Sequence, residues 1–179
     1  MTYSQNLHTH CTYCDGKDTP EQIVKKAIEI GFNAIGFSSH APFGFETDYA
    51  IKEEKLDEYI SVINGLKKKS EEQINVFCGL EADYFSIEND SLDFDYKIGS
   101  VHLLEIGGKF YDVDENLQKT KYIIDDFFNG DGIEYAKSYF ELVSKLADVK
   151  KFDIVGHFDL VTKFNEKEFL IDTNSKAYR

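Results

Sequence analysis

Every histidine in this chain lies at the C-terminal end of a short segment that we expect to form a strand, and one glutamate does the same. These residues are His8, His10, His40, Glu81, His102 and His157. In a parallel β/α barrel, the residues at the C-terminal ends of the strands all project into one mouth. Imidazole and carboxylate groups are ligands that transition metals such as zinc and manganese accept. The repeated placement therefore predicts a metal site at the mouth of a β/α barrel.

Strand and helix signals alternate along the chain, which favours an α/β fold with parallel strands. Expected helices cover residues 19–31, 52–69, 115–129 and 133–149, and expected strands cover 32–39, 74–81, 96–102 and 152–157. A further short strand is expected before His8. About five strands are too few for a barrel to close, and no repeat or linker divides the chain. We therefore expect a single domain over residues 1–179 that forms an incomplete barrel.

Local signals set the helix limits and the faces that we expect to be buried. Thr19, Pro20 and Gln22 form a capping-box start, and Gly31 is a typical stop. The apolar faces comprise Ile23, Ala27 and Ile30 in the first helix, Leu56, Ile60, Ile63 and Leu66 in the second, and Ala136, Phe140, Val143 and Ala147 in the last. Residues 86–95 are polar and acidic and are expected to form a loop.

The composition limits the classes of partner. A net charge of −13 argues against a nucleic-acid-binding surface, because phosphate binding depends on lysine and arginine. No apolar run approaches the roughly 18–20 residues that span a bilayer, so no membrane partner is expected. Three cysteines do not suggest a disulfide framework, and the start of the chain lacks the features of a secretory signal. We therefore expect a reduced, cytoplasmic protein.

Cys11 and Cys14 have the spacing of redox motifs and zinc sites. They lie directly after the His-x-His pair, which leaves two interpretations open. One cysteine supplies an extra zinc ligand, or both are loop residues without a chemical role. We favour the second interpretation, because the spacing alone is a weak signal.

Taken together, the motifs resemble those of the polymerase-and-histidinol-phosphatase (PHP) domain family, and in particular its histidinol-phosphate phosphatase branch. The matching segments are Leu7-His8-Thr9-His10, Ser39-His40, Gly79-Leu80-Glu81, Gly99-Ser100-Val101-His102 and Val155-Gly156-His157-Phe158-Asp159-Leu160. They occur in the family order over almost the whole chain. The resemblance implies a distorted, seven-stranded β/α barrel with a trinuclear metal centre at its mouth.

The resemblance also implies the ligand sets, with zinc, manganese or iron as the metals. His8, His10 and Glu81 would hold the first ion, and Glu81 would bridge to a second ion. His102 and His157 would complete the second site and, with Glu81, form the catalytic group. His40 would hold a third ion together with Asp15. Relatives often have histidine at the position of Asp15.

The function implied by the resemblance is metal-dependent hydrolysis of L-histidinol phosphate, within histidine biosynthesis. Lys163 lies where relatives carry a basic residue that contacts the substrate phosphate; a solvated loop lysine is the alternative. Two other functions stay open: a phosphatase for another phosphoester such as phosphotyrosine, or an inactive metal-binding fragment.

One family feature is missing from this sequence. The family ends its metal site with an Asp-x-His near the last strand, and the chain contains no Asp-x-His. We therefore expect a truncated form that lacks the last strands and helices and one ligand each for the first and third ions. The expected partners are a small phosphorylated substrate and a second copy of the chain, paired through the exposed barrel edge.

Overall fold

In the computed structural model, which describes residues 4–86, 92–148 and 151–179, strands and helices alternate along much of the chain. In order they are β1 (Gln5–Asn6), α1 (Pro20–Glu29), β2 (Ala34–Phe37), α2 (Leu56–Lys69), β3 (Asn75–Asp83), β4 (Tyr96–Ser100), β5 (Leu103–Ile106), β6 (Lys109–Asp112), α3 (Leu117–Phe127), α4 (Gly132–Leu146) and β7 (Ile154–Val155). Short 3-10 helices cover Glu53–Lys55 and Leu160–Thr162. Among the described residues, no helix is both long enough and apolar enough to cross a membrane.

The chain forms two compact units. The first comprises Met1–Ile98 and Phe152–Ile154, and the second comprises Gly99–Lys151 and Val155–Arg179. The assignment of a single domain to residues 1–179 stays a prediction. Three expectations fall in part outside the described residues. They are the 86–95 loop at positions 87–91, the end of the last long helix at Val149, and the character of the start of the chain at positions 1–3.

Parallel strands carry the first unit. β1 pairs with β2, placing Gln5 opposite Ala34, and β2 pairs with β3, placing Phe37 opposite Cys78. The order in the sheet is β1-β2-β3-β4-β7. Helices α1 and α2 connect the first three strands, so the expected α/β class with parallel strands is confirmed.

The start of α1 follows the predicted capping box. The Thr19 hydroxyl accepts a hydrogen bond from the Gln22 backbone N–H, and the Gln22 side chain accepts one from the Thr19 N–H. The helix stops where Gly31 adopts a φ of 82°, which costs glycine little. The expectation that Ile30 faces the core is wrong, because Ile30 is the C-cap residue and is 57% exposed. Val24 and Ala27 are the buried hydrophobic residues of this helix.

The second predicted helix is divided in the structure. A 3-10 turn over Glu53–Lys55 precedes α2, whose buried residues are Leu56, Tyr59, Ile63 and Leu66. Ile60 is only partly buried and packs at the margin of the core. The buried face of α2 therefore largely matches the prediction.

The second unit contains a hairpin that we did not predict. β5 and β6 pair antiparallel, and Gly107 and Gly108 make the turn with φ values of 60° and 77°. A Gly-Gly pair between two strand-forming segments is a signal for such a turn, because both central residues need a positive φ. The segment 103–112 therefore carried a readable hairpin signal.

The predicted buried face of α4 is wrong in part. Ala147 is exposed, and Phe140 and Val143 are only partly buried. Tyr135 and Tyr139 are fully buried instead, and their hydroxyls donate to the backbone carbonyls of Val113 and His157. Because both hydroxyls have hydrogen-bond partners, the two tyrosines can be buried, and the buried face of α4 runs through them.

Candidate metal centre

The candidate metal ligands of the first unit lie at or after the C-terminal ends of three neighbouring strands. His8 and His10 follow β1, His40 follows β2, and Glu81 lies near the end of β3. The backbone fixes their register: His40 and Glu81 form a parallel bridge, and Ala41 donates its N–H to the Glu81 carbonyl at 2.7 Å. The predicted convergence of these side chains is what parallel pairing at the C-terminal strand ends produces.

One oxygen of the Glu81 carboxylate lies close to three imidazole nitrogens. Glu81 Oε2 lies 3.0 Å from His8 Nε2, 2.9 Å from His10 Nε2 and 3.4 Å from His40 Nδ1. The Glu81 side chain has no solvent exposure. A carboxylate buried to this degree needs cationic or hydrogen-bonding partners, and the imidazoles supply them.

His10 faces carboxylates through both ring nitrogens. Its Nδ1 lies 2.7 Å from Asp15 Oδ1, while its Nε2 faces Glu81. Burial lowers the pKa of His10, but hydrogen bonds with Cys14, Glu81 and Asp15 outweigh burial and raise the pKa to about 11. Without metal, a proton on each nitrogen therefore satisfies both carboxylates.

Asp15 lies between two imidazoles. Besides His10, it approaches His40, with 3.9 Å between Asp15 Oδ2 and His40 Nε2. Burial raises the pKa of Asp15, but its contacts with the two histidines outweigh burial and hold the pKa below its usual value. The structure thus brings Asp15 and His40 together, as the third ligand set requires.

Cys11 and Cys14 have different surroundings. The Cys11 side chain is fully buried and its Sγ lies 3.4 Å from Ser39 Oγ, and burial raises the pKa of its thiol. Cys14 is only partly buried. Burial raises the pKa of Cys14 as well, but contacts with His10 and Ser39 outweigh burial and hold the pKa below its usual value.

Two residues that the sequence reasoning missed support the site. The Tyr96 hydroxyl donates to the carbonyl of Leu7, directly before the His-x-His pair. The Tyr49 ring packs edge-on against the His40 imidazole, with 4.9 Å between ring centroids. Nothing in the local sequence marks either tyrosine. Tyr96 acts on Leu7, which is far along the chain, and the packing of Tyr49 on His40 depends on how the loop after His40 folds back.

His102 and His157 lie together in the second unit. Their ring centroids are 4.9 Å apart, and His102 is buried. The His102 carbonyl accepts from the Val113 N–H at 2.9 Å, and the His157 carbonyl accepts from the Tyr139 hydroxyl at 3.3 Å. Hydrogen bonds to the two backbone carbonyls, made within the second unit, therefore hold this pair.

Lys163, the candidate for a phosphate contact, pairs with an aspartate of its own unit. Its Nζ lies 2.8 Å from Asp114 Oδ2 and also donates to the Asp114 carbonyl at 3.1 Å. The ammonium lies 5.7 Å from the centre of the Phe164 ring. A contact between Lys163 and phosphate stays a prediction, and it would require the lysine to exchange or share its Asp114 partner.

Residues 6–179 match the PHP domain family. The chain belongs to this family. It is 30% identical over 177 residues to the histidinol-phosphatase of Bacillus subtilis strain 168, a match that covers 88% of this chain and 66% of that protein. The chain thus spans slightly less than two thirds of the length of that curated relative.

Two solved structures are similar in fold. One is a Listeria monocytogenes protein assigned as a histidinol phosphatase, with a TM-score of 0.79 at 25% identity over 95% of this chain and 72% of that one. The other is the histidinol phosphate phosphatase of Lactococcus lactis, in complex with zinc, L-histidinol and phosphate. Its TM-score is 0.65 at 28% identity, over 89% of this chain and 59% of that one. The PHP assignment, its histidinol-phosphatase branch and the PHP-type α/β fold are therefore confirmed.

Proposed function

We propose that this protein is a metal-dependent phosphomonoesterase that hydrolyses L-histidinol phosphate to L-histidinol and phosphate, a step of histidine biosynthesis. The buried Glu81 carboxylate carries the proposal. Ring nitrogens of His8, His10 and His40 surround one of its oxygens. A buried acid surrounded by imidazoles at strand ends is typical of a metal centre.

The spacing of the donor atoms fits a transition metal. The ligand atoms of His8, His10 and Glu81 lie within 4.8 Å of one another. With metal–ligand bonds of about 2.1 Å, tetrahedral neighbours lie about 3.4 Å apart. The 3.0 Å and 2.9 Å separations from Glu81 are slightly shorter, so an ion would need only small side-chain movements.

The donor types narrow the choice of metal. Imidazole suits zinc and iron, and carboxylate oxygen suits manganese, so this mixed donor set fits these three metals. Ions held there would activate a water molecule and neutralise the phosphoryl oxygens during in-line displacement.

The protein contributes positioning. Asp15 fixes the His10 ring by accepting from Nδ1, which keeps Nε2 directed at Glu81. Tyr96 holds the backbone before His8, and Tyr49 packs against His40. These contacts hold the imidazoles in place before any ion binds, which lowers the cost of ordering them.

The relatives support both the reaction and the substrate. The Bacillus subtilis relative is a histidinol-phosphatase, and the Lactococcus lactis structure contains zinc, L-histidinol and phosphate. We assign the remaining roles by the same resemblance. His102 and His157 bind a further ion, His40 and Asp15 bind a third, and Lys163 contacts the substrate phosphate.

The test is phosphate release from L-histidinol phosphate by the purified protein, first stripped of metal and then supplied with Zn²⁺ or Mn²⁺. We expect hydrolysis only with metal, and we expect Glu81→Gln to abolish it. Glu72→Gln is the matched control, because Glu72 is exposed and precedes β3, whereas Glu81 lies near the other end of that strand. Phosphotyrosine is assayed in parallel.

The outcomes separate the alternatives. Metal-dependent release from phosphotyrosine alone would reassign the substrate within the phosphatase class. Metal binding without phosphate release from either compound would identify a non-catalytic metal-binding protein.

A further inference from the structure

The two cysteines of the Cys-x-x-C motif differ in what they can bind. Cys11 is completely buried beside Ser39, so its sulfur has no access to solvent. Cys14 is partly exposed, and its sulfur lies with His10 and Asp15 in a group whose ligand atoms are all within 4.8 Å of one another. The fold therefore distinguishes two residues that the sequence presents as a pair.

We propose that Cys14, His10 and Asp15 form a further metal position in the first unit, one that selects zinc over manganese or magnesium. Binding converts the Cys14 thiol to a metal-bound thiolate and releases its proton to solvent. Thiolate is a soft ligand that favours zinc, whereas magnesium and manganese favour oxygen donors. Three protein ligands with an open fourth place are a common zinc arrangement.

A cleft that Cys14 lines offers an ion a route toward this residue. Its volume is about 520 Å³, and Cys14 lines it together with Thr12, Tyr13, Asp48 and Glu58, among others. An entry path of this kind is one requirement for a metal site.

The shared imidazole makes the two metal positions alternatives. A neutral imidazole has one nitrogen lone pair to offer a metal and carries a proton on the other nitrogen. His10 Nε2 faces Glu81 and Nδ1 faces Asp15. An ion at the Cys14 position takes Nδ1 and leaves Nε2–H donating to Glu81; an ion at the Glu81 position takes Nε2 and leaves Nδ1–H donating to Asp15. The inference depends on the proposed function through two shared residues, His10 and Asp15, because Asp15 also belongs to the proposed third site with His40.

Cobalt substitution tests the inference directly, because a thiolate ligand gives Co²⁺ an intense near-ultraviolet charge-transfer band that nitrogen and oxygen ligands do not give. We expect the band on titrating metal-free protein with Co²⁺, and we expect Cys14→Ser to abolish it. Cys78→Ser is the matched control, since Cys78 is buried inside β3, and it should keep the band. We also expect Cys14→Ser to weaken zinc binding by about tenfold or more, with little change for manganese.

Two results would overturn the proposal: no band in the wild-type protein, or a band that survives Cys14→Ser and disappears in Cys11→Ser. If Cys14→Ser does not fold, the wild-type protein still decides. Zinc should protect Cys14 from alkylation, read by peptide mass spectrometry, and manganese should not; equal alkylation with and without zinc contradicts the site.

Assaying L-histidinol phosphate on the same samples keeps the two proposals apart. Hydrolysis without the cobalt charge-transfer band would contradict the Cys14 metal position alone. The band without hydrolysis would leave it intact and count against the phosphatase.

Discussion

Glu81 and His40 occupy the same cluster but are expected to differ in their effect on activity. Glu81 approaches three imidazoles and is fully buried, whereas His40 belongs to the proposed third site. We therefore predict that Glu81→Gln lowers kcat by about 100-fold or more, and His40→Ala by clearly less. The measurement is kcat for L-histidinol phosphate at equal metal occupancy, determined by mass spectrometry. Comparable losses from both substitutions would contradict the central role of Glu81.

His10 makes metal binding dependent on pH. Its pKa in the metal-free protein is raised to about 11, so the ring is doubly protonated at neutral pH. An ion must displace a proton, and the affinity should therefore rise with pH, by about tenfold per unit for each proton displaced, until the pH reaches that pKa. Calorimetry in buffers of different ionisation enthalpy should show at least about one proton released per ion.

The His10→Gln variant provides the comparison for this prediction. It should bind metal more weakly and release fewer protons than the wild-type protein. Zinc affinity that is constant between pH 6 and pH 9 would argue against a protonated His10 in the metal-free state.

Among the secondary-structure elements, β2 and β3 both pack against the ring of Tyr96. A Cβ atom added at Gly79 in β3 would lie 2.4 Å from the Tyr96 ring, and one added at Gly36 in β2 would lie 2.4 Å from its hydroxyl. Tyr96 also donates to the Leu7 carbonyl. Two strands thus lack side chains where this ring packs, and the ring in turn supports the segment leading to His8.

We predict that Gly79→Ala lowers the free energy of unfolding by about 1–3 kcal/mol, because the added methyl overlaps a buried ring that has little room to move. Displacing Tyr96 should also weaken metal binding through Leu7 and His8. Denaturant unfolding of the metal-free protein and zinc titration measure the two effects.

Gly65 in α2 is the matched control, since an added Cβ there meets nothing within 4 Å. Gly65→Ala should stabilise the protein by about 0.5–1 kcal/mol, because alanine is the better helix former. Equal effects from the two substitutions would show that Tyr96 does not limit the space at Gly79.

For the whole molecule, metal binding and folding are coupled. Some donor atoms of the first unit come from widely separated segments, since His10 and Glu81 are 71 residues apart, so the unfolded chain does not present them together. Zinc at about a thousandfold excess over its Kd should therefore stabilise the native state by about 4 kcal/mol. We predict that chelation lowers Tm and that added zinc restores it in a concentration-dependent way, measured by calorimetry. A Tm unaffected by zinc would exclude a site formed by folding.

Several features of the protein could be predicted from local sequence alone. The capping box at Thr19, the buried face of α2 around Ile63 and the alternation of strands with helices depend on neighbouring residues, and the structure confirms them. The placement of histidines after strands predicted the grouping around Glu81, because parallel strands bring their C-terminal ends to one edge. The turn glycines Gly107 and Gly108 carried a hairpin signal of the same local kind.

Tertiary structure alone decided how these parts meet. It determined that His10 turns one nitrogen to Glu81 and the other to Asp15. It also determined that Cys14 approaches this ring while Cys11 is buried beside Ser39. It also placed Tyr96 against Gly36 and Gly79. A sequence pattern with a period of two or 3.6 residues specifies which face of an element is buried. The partner of each buried atom depends on how segments distant along the chain pack together, and that packing sets the chemistry of the site.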